Sequence, residues 1–79
     1  MSYIEEHISY HIGTMALRFV RRPVAGALPK DGWFGFVELM KDGRREKACV
    51  GRWRNGVWDN GKGRDLAFEP THWTELVNT

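Results

Sequence analysis

The chain of 79 residues has a single cysteine, Cys49. One thiol forms no intrachain disulfide and no cysteine-rich zinc site, and it fits a reducing, cytoplasmic setting. Long apolar runs are missing too. No stretch approaches the roughly 20 residues that would cross a bilayer as a helix. The opening Met-Ser-Tyr-Ile-Glu-Glu lacks the basic and apolar regions of a signal peptide, so no membrane partner is expected. Excess charge of one sign is also scarce. Twelve Lys and Arg against ten Asp and Glu leave a net charge of +2, less than a dedicated DNA-binding domain of this size usually carries. There is no internal repeat and no low-complexity segment.

Catalytic constellations are equally thin. His7 and His11 stand four residues apart, one turn on a helix, but no third ligand comes with a spacing argument. The His-Glu-x-x-His pattern of zinc proteases is missing. Cys49 lies between Ala48 and Val50 and reads as a small buried packing residue. The stretch Asp-Asn-Gly-Lys-Gly-Arg-Asp, 59–65, lacks the Gly-Lys-Ser/Thr ending of a phosphate loop, and no helix follows it. The carboxylates are scattered beside basic residues, so no general acid–base pair emerges. The expectation is a non-enzyme without metal or cofactor.

Large aromatics are plentiful: four Trp, four Phe and two Tyr. They are what a chain near the lower size limit for a self-sufficient core needs. Ser2 and Glu5 form a capping box. Ile4, Ile8, Ile12, Met15, Ala16 and Phe19 then recur at intervals of three and four. Acidic Glu5 and Glu6 at the start and Arg18, Arg21 and Arg22 at the end suit a helix dipole, and Pro23 stops the element. The pattern predicts a helix over 2–22. The alternative is a break at Gly13 with a strand over 15–20, because glycine costs a helix interior about 1 kcal/mol.

A connector over 23–32 follows, and the remainder, 33–79, reads as antiparallel sheet. Residues 33–40 form a strand, Asp42-Gly43 a turn, 47–54 a second strand and Asn55-Gly56 a second turn. Val57 and Trp58 open a third strand, and Leu66 with Phe68 a fourth. Thr71 is expected to cap a turn that tucks Trp73 under the sheet, with His72 as a structural hydrogen-bonding residue. The fold class expected is therefore α+β, a single domain over 1–79 with one N-terminal helix packed on a four-stranded antiparallel sheet.

The second hairpin, Gly-Arg-Trp-Arg-Asn-Gly-Val-Trp-Asp-Asn-Gly, raises the functional question. A two-residue turn at Asn55-Gly56 places Trp53 opposite Trp58 on one face. Arg52, Arg54, Val57 and Asp59 then take the other face. The basic residues Arg44, Arg45, Lys47, Arg52, Arg54, Lys62 and Arg64 gather on these hairpins and the next loop, and form the candidate partner-binding face.

Leu28, Pro29 and Gly32, then Gly51, Trp53 and Trp58, then Pro70, Thr71, His72, Trp73 and Leu76 carry a resemblance. From Ala27 onward the chain resembles a family of small phage- and prophage-encoded domains of unknown function. Its members tend to show Leu-Pro-x-x-Gly, a Gly-x-Trp-x-x-x-x-Trp hairpin and a closing Thr-His-Trp-Met-Pro-Leu-Pro. The terminal proline run is missing here, and a capped helix is expected where the family has a Trp-rich lead strand. The resemblance implies a mobile-element origin and a small β-rich domain.

By class analogy, small non-enzymatic phage proteins are similar in kind to anti-CRISPR inhibitors, which share no common fold. The expected function is an accessory protein that binds and blocks a host protein complex, such as a CRISPR effector, in the host cytoplasm, acting as a monomer. The alternative is a nucleic-acid-binding protein that uses its arginine-rich hairpins.

Overall fold

In the computed structural model the described residues form one six-stranded antiparallel sheet of order β1-β2-β6-β3-β4-β5. The strands are β1 (Glu6–Ile12), β2 (Met15–Pro23), β3 (Trp33–Lys41), β4 (Arg44–Arg54), β5 (Val57–Asp59) and β6 (His72–Leu76). The structure describes residues 6–77; of the side chains of Glu6, His7 and residues 10–12 nothing is described. The capping box at Ser2 and Glu5, together with Tyr3 and Ile4, lies outside the described residues.

The helix over 2–22 is corrected: among the described residues the fold is all-β, with no helix. The chain breaks at Gly13, the alternative that the glycine suggested, and both sides of the break are strands. Gly13 has φ +63° and opens a two-residue turn that sets Ile12 opposite Met15. That glycine-first pattern suits a type II′ hairpin, whose twist matches the flanking strands. The misreading has a physical origin. Intervals of four residues are even, so Ile8 and Ile12 share a face on a strand as they do on a helix. In the register Ile8 stands opposite Phe19 and Ile12 opposite Met15.

The two downstream hairpins match the sequence reading. Asp42 and Asn55 have φ +53°, and the glycines after them +76° and +77°, the left-handed pair that a type I′ turn requires. Arg52 faces Asp59, Trp53 faces Trp58 and Arg54 faces Val57. The first hairpin slips by one residue between Leu39 and Met40, and this bulge leaves Glu46 without an opposite number.

The fourth strand predicted at Leu66 and Phe68 is also corrected. That segment is irregular, and the last strand is β6, which inserts between β2 and β3. Trp73 therefore sits in mid-sheet rather than under it. The main chain splices β6 in at both ends. Val24 N–H donates to Thr71 O at 2.9 Å, Thr71 N–H to Glu38 O at 3.0 Å, and Val77 N–H to Arg18 O at 2.9 Å. To reach this slot, the chain after β5 crosses one face of the sheet. Leu66 lands over Gly51, where an added Cβ would meet Leu66 at 3.2 Å and Val37 at 3.2 Å. A glycine there is what lets the crossing segment approach the sheet.

Candidate functional site

The sheet has two unlike faces. The covered face carries Trp33, Val37, Trp53, Trp58 and Trp73 by register, and the crossing segment packs on it. All four tryptophans join in one chain of ring contacts. Centroids are 5.3 Å apart for Trp33–Trp73, 6.0 Å for Trp33–Trp58 and 4.8 Å for Trp53–Trp58. Edge-on and tilted geometries of this kind suit the ring quadrupoles. Trp73 is buried, and its indole N–H donates to Ala27 O at 2.8 Å, which ties the connector to the sheet. An open groove of about 750 Å³ remains between the crossing segment and the second hairpin, lined by Leu28, Trp53, Trp58, Asp65, Leu66 and Phe68 among others.

The other face lies open. By register it holds Ile8, Met15, Leu17, Phe19, Phe34, Phe36, Val50, Val57 and Leu76. Seven large apolar side chains are exposed in the described chain, and six of them (Met15, Phe34, Phe36, Val50, Val57 and Leu76) are on this face, between 40% and 62% exposed. The seventh, Leu28, belongs to the connector. Phe19 and Phe36 meet edge to face at 6.3 Å, so the apolar strip runs unbroken from β2 to β4. Apolar exposure concentrated on one side marks an interaction surface far better than the same residues scattered singly.

Within the open face lies a buried ion pair. The Glu38 carboxylate is fully buried and accepts from Arg21 Nε at 2.7 Å and Arg21 Nη2 at 3.0 Å. Arg45 approaches it at 3.7 Å. Arg21 reaches Glu38 across β6, the strand between them. Thr71 and His72 brace the same crossing: Met40 N–H donates to Thr71 Oγ1 at 2.8 Å, and His72 Nδ1 lies 2.8 Å from that oxygen.

The basic residues do not form a single patch. The bulge sends Arg44 and Lys47 to the tryptophan side and Arg45 to the open side, with Arg52 and Arg54. Lys62 and Arg64 stand exposed on the loop after β5. Arg52 is engaged. It forms a two-pronged pair with Asp59, both contacts 3.1 Å, and Asp59 also accepts Gly61 N–H at 2.6 Å. These hydrogen bonds hold the Asp59 carboxyl below the usual carboxylate range, Arg52 contributing most. Asn60 Oδ1 accepts from Lys62 N–H at 2.7 Å and Arg64 N–H at 3.2 Å, so the loop is fixed by its own side chains. Arg45, which also faces Glu38, and Arg54 are the cations at the border of the apolar strip.

Cys49 is half-buried on the tryptophan side, opposite Val37, and so more exposed than the interior position expected of it. Burial pushes its thiol up from the ordinary value, which works against an activated nucleophile. His7 and His11 lie on β1, where four residues span about 13 Å, so the one-turn spacing that paired them no longer applies. Among the described residues no group of three His, Cys, Asp or Glu is placed to hold a metal, and no helix is long and apolar enough to cross a membrane.

The residues that sequence reasoning passed over are Phe34, Phe36, Val50 and Leu76. The signal was present in Phe-Gly-Phe-Val-Glu, 34–38, where period-2 alternation puts Phe34, Phe36 and Glu38 on one face and Val37 on the other. Compared with protein-family models, curated proteins and solved structures, the chain matches none.

Proposed function

We propose that this is a non-enzymatic accessory protein of phage type, which docks its open sheet face on a host protein complex in the cytoplasm and blocks it. The phage resemblance and small size favour a CRISPR effector as the target. One observation carries the reading: six exposed large apolar side chains share a single face, bordered by Arg45 and Arg54. Aromatic residues and arginine are the types enriched at protein interfaces. Six strands about 4.8 Å apart and about seven residues long present roughly 600 Å² of flat sheet. That is close to the approximately 800 Å² that each partner contributes to a standard interface.

The test is phage plating on a CRISPR-immune host that expresses the chain. The wild type restores plaques, and Phe36→Asp combined with Arg54→Glu abolishes the rescue while the purified variant still melts cooperatively. No rescue by the wild type, or equal rescue by the variant, overturns the reading. Arg52 is a poor choice for charge reversal, because its loss also frees Asp59 and the loop behind it.

A second reading, single-strand nucleic-acid binding, draws on Phe34 and Phe36 lying exposed beside Arg45 and Arg54. Exposed sheet aromatics flanked by arginine are how several folds stack bases. It predicts oligonucleotide affinity that falls with salt at a log–log slope of about 0.7 per phosphate contacted. Negligible binding at low salt rules it out.

A further inference from the structure

The groove on the covered face has a chemistry opposite to that of the chain as a whole. The chain is net positive, yet the charged residues that line this groove are Asp65 and Glu69, with no Lys or Arg among them. Both carboxylates are exposed and take part in no hydrogen bond or ion pair among the described residues. The same groove is lined by Trp53 and Trp58, tilted at 56° to each other and both partly accessible, and by Leu66 and Phe68. An indole face attracts a cation, and a carboxylate in the same groove adds to that attraction.

A second observation concerns the main chain. Residues 65–70 cross the sheet outside any strand and make no main-chain hydrogen bond among the described residues. These residues line one wall of the groove of about 750 Å³, and their N–H and C=O groups are without main-chain partners among the described residues. Such a wall can pair with an incoming extended chain, as sheet edges do in peptide recognition.

We propose that this groove binds an extended basic segment of a partner protein. One lysine or arginine side chain lies with its apolar stem over Trp53 and Trp58 and its head between Asp65 and Glu69. The segment's backbone pairs with residues 65–70. The site is on the opposite side of the sheet from the Phe34–Phe36 strip and stands or falls independently of the function proposed above.

The experiment titrates the intact protein with three pentapeptide pools, randomised around a central lysine, arginine or norleucine, and follows tryptophan fluorescence and indole N–H shifts. The lysine and arginine pools should saturate at roughly millimolar concentration, with the norleucine pool about tenfold weaker and the preference fading at high salt. Asp65→Asn with Glu69→Gln should weaken the cationic pools about tenfold at an unchanged Tm, since neither carboxylate has a folded partner. Ala67→Pro, which removes one free N–H, should weaken all three pools. Equal binding of norleucine, indifference to the double substitution, or no saturable change overturns the proposal. Butylammonium binding as tightly as the peptides also overturns it, because the occupant is then a free amine and not a chain.

Discussion

Removing Arg21 should damage this protein more than removing its partner Glu38. Glu38 is fully buried in mid-sheet, whereas the Arg21 side chain is 15% exposed. Arg21→Met strands a carboxylate with Arg45 at 3.7 Å as its remaining cation. Breaking a buried pair in this way costs about 3–5 kcal/mol. Arg45 moves the expected value to the lower end, about 3 kcal/mol. The converse substitution, Glu38→Leu, leaves an arginine whose long stem can carry its charge out to water, at about 1–2 kcal/mol. Replacing both together leaves no orphaned charge and should cost less than either alone. The resulting coupling, about 3 kcal/mol, lies at the upper end of what contacting pairs show.

A chain of 79 residues has a total stability of about 4–12 kcal/mol, so the Arg21 variant would sit near collapse, with a Tm lowered by about 15–20 °C. Urea unfolding read by tryptophan fluorescence measures all three, because the four indoles share one cluster. Two results would refute the argument: single costs that simply add in the double variant, or an Arg21→Met cost below that of Glu38→Leu. Either would mean that the ion pair is incidental to how β6 is held between β2 and β3.

Two further predictions concern titratable groups. Cys49 should react with a thiol reagent slowly near neutral pH in the folded protein and much faster in denaturant, since burial raises its folded pKa; fast native labelling would place the thiol outside the packed face. Asp59 has a folded pKa below its ordinary 3.8, so its contribution is fully present above about pH 4 and is lost as pH falls through the folded value. Asp59→Asn should accordingly flatten the acid limb of the melting profile, and an unchanged limb would show that the Arg52 pair does not anchor the loop.

The parts of the fold that could be read from sequence are those with local signals. Asp42-Gly43 and Asn55-Gly56 announce their own turns, because both positions need a left-handed backbone, and the tryptophan pairing follows from turn length alone. The N-terminal segment carried an ambiguous period, and Gly13 was its one decisive residue. The place of β6 had no local sign whatever. His72 pairs with Glu38, and Leu76 with Phe19, at separations set by where a long crossing segment comes to rest. The candidate site failed in a related way. The cluster of arginines was visible, but a one-residue bulge at Glu46 decides which face each takes. Phe34 and Phe36 look like core residues until the structure shows them 59% and 43% exposed, with the loop at Gly61 lying against the Phe34 ring.

That difference between the faces can itself be tested by comparing two aromatic substitutions. Trp73 is 5% exposed and donates its indole N–H to Ala27 O. Trp73→Ala removes a buried ring and leaves the Ala27 carbonyl without this donor, so it should cost about 3–5 kcal/mol and prevent folding at ordinary temperatures. Phe34 is 59% exposed, so less than half of its apolar surface is withdrawn from water. A fully buried phenylalanine contributes about 1.5–3 kcal/mol, so Phe34→Thr should cost about 1 kcal/mol, with threonine's strand preference offsetting part of the loss. In the isolated protein Phe34 is therefore nearly dispensable, which is the behaviour of a residue kept for a partner and not for the fold. A Phe34→Thr penalty comparable to that of Trp73→Ala would mean that the strip is already packed in solution. The open face would then be part of this chain's own core or of a dimer, and the docking proposed for it would fail.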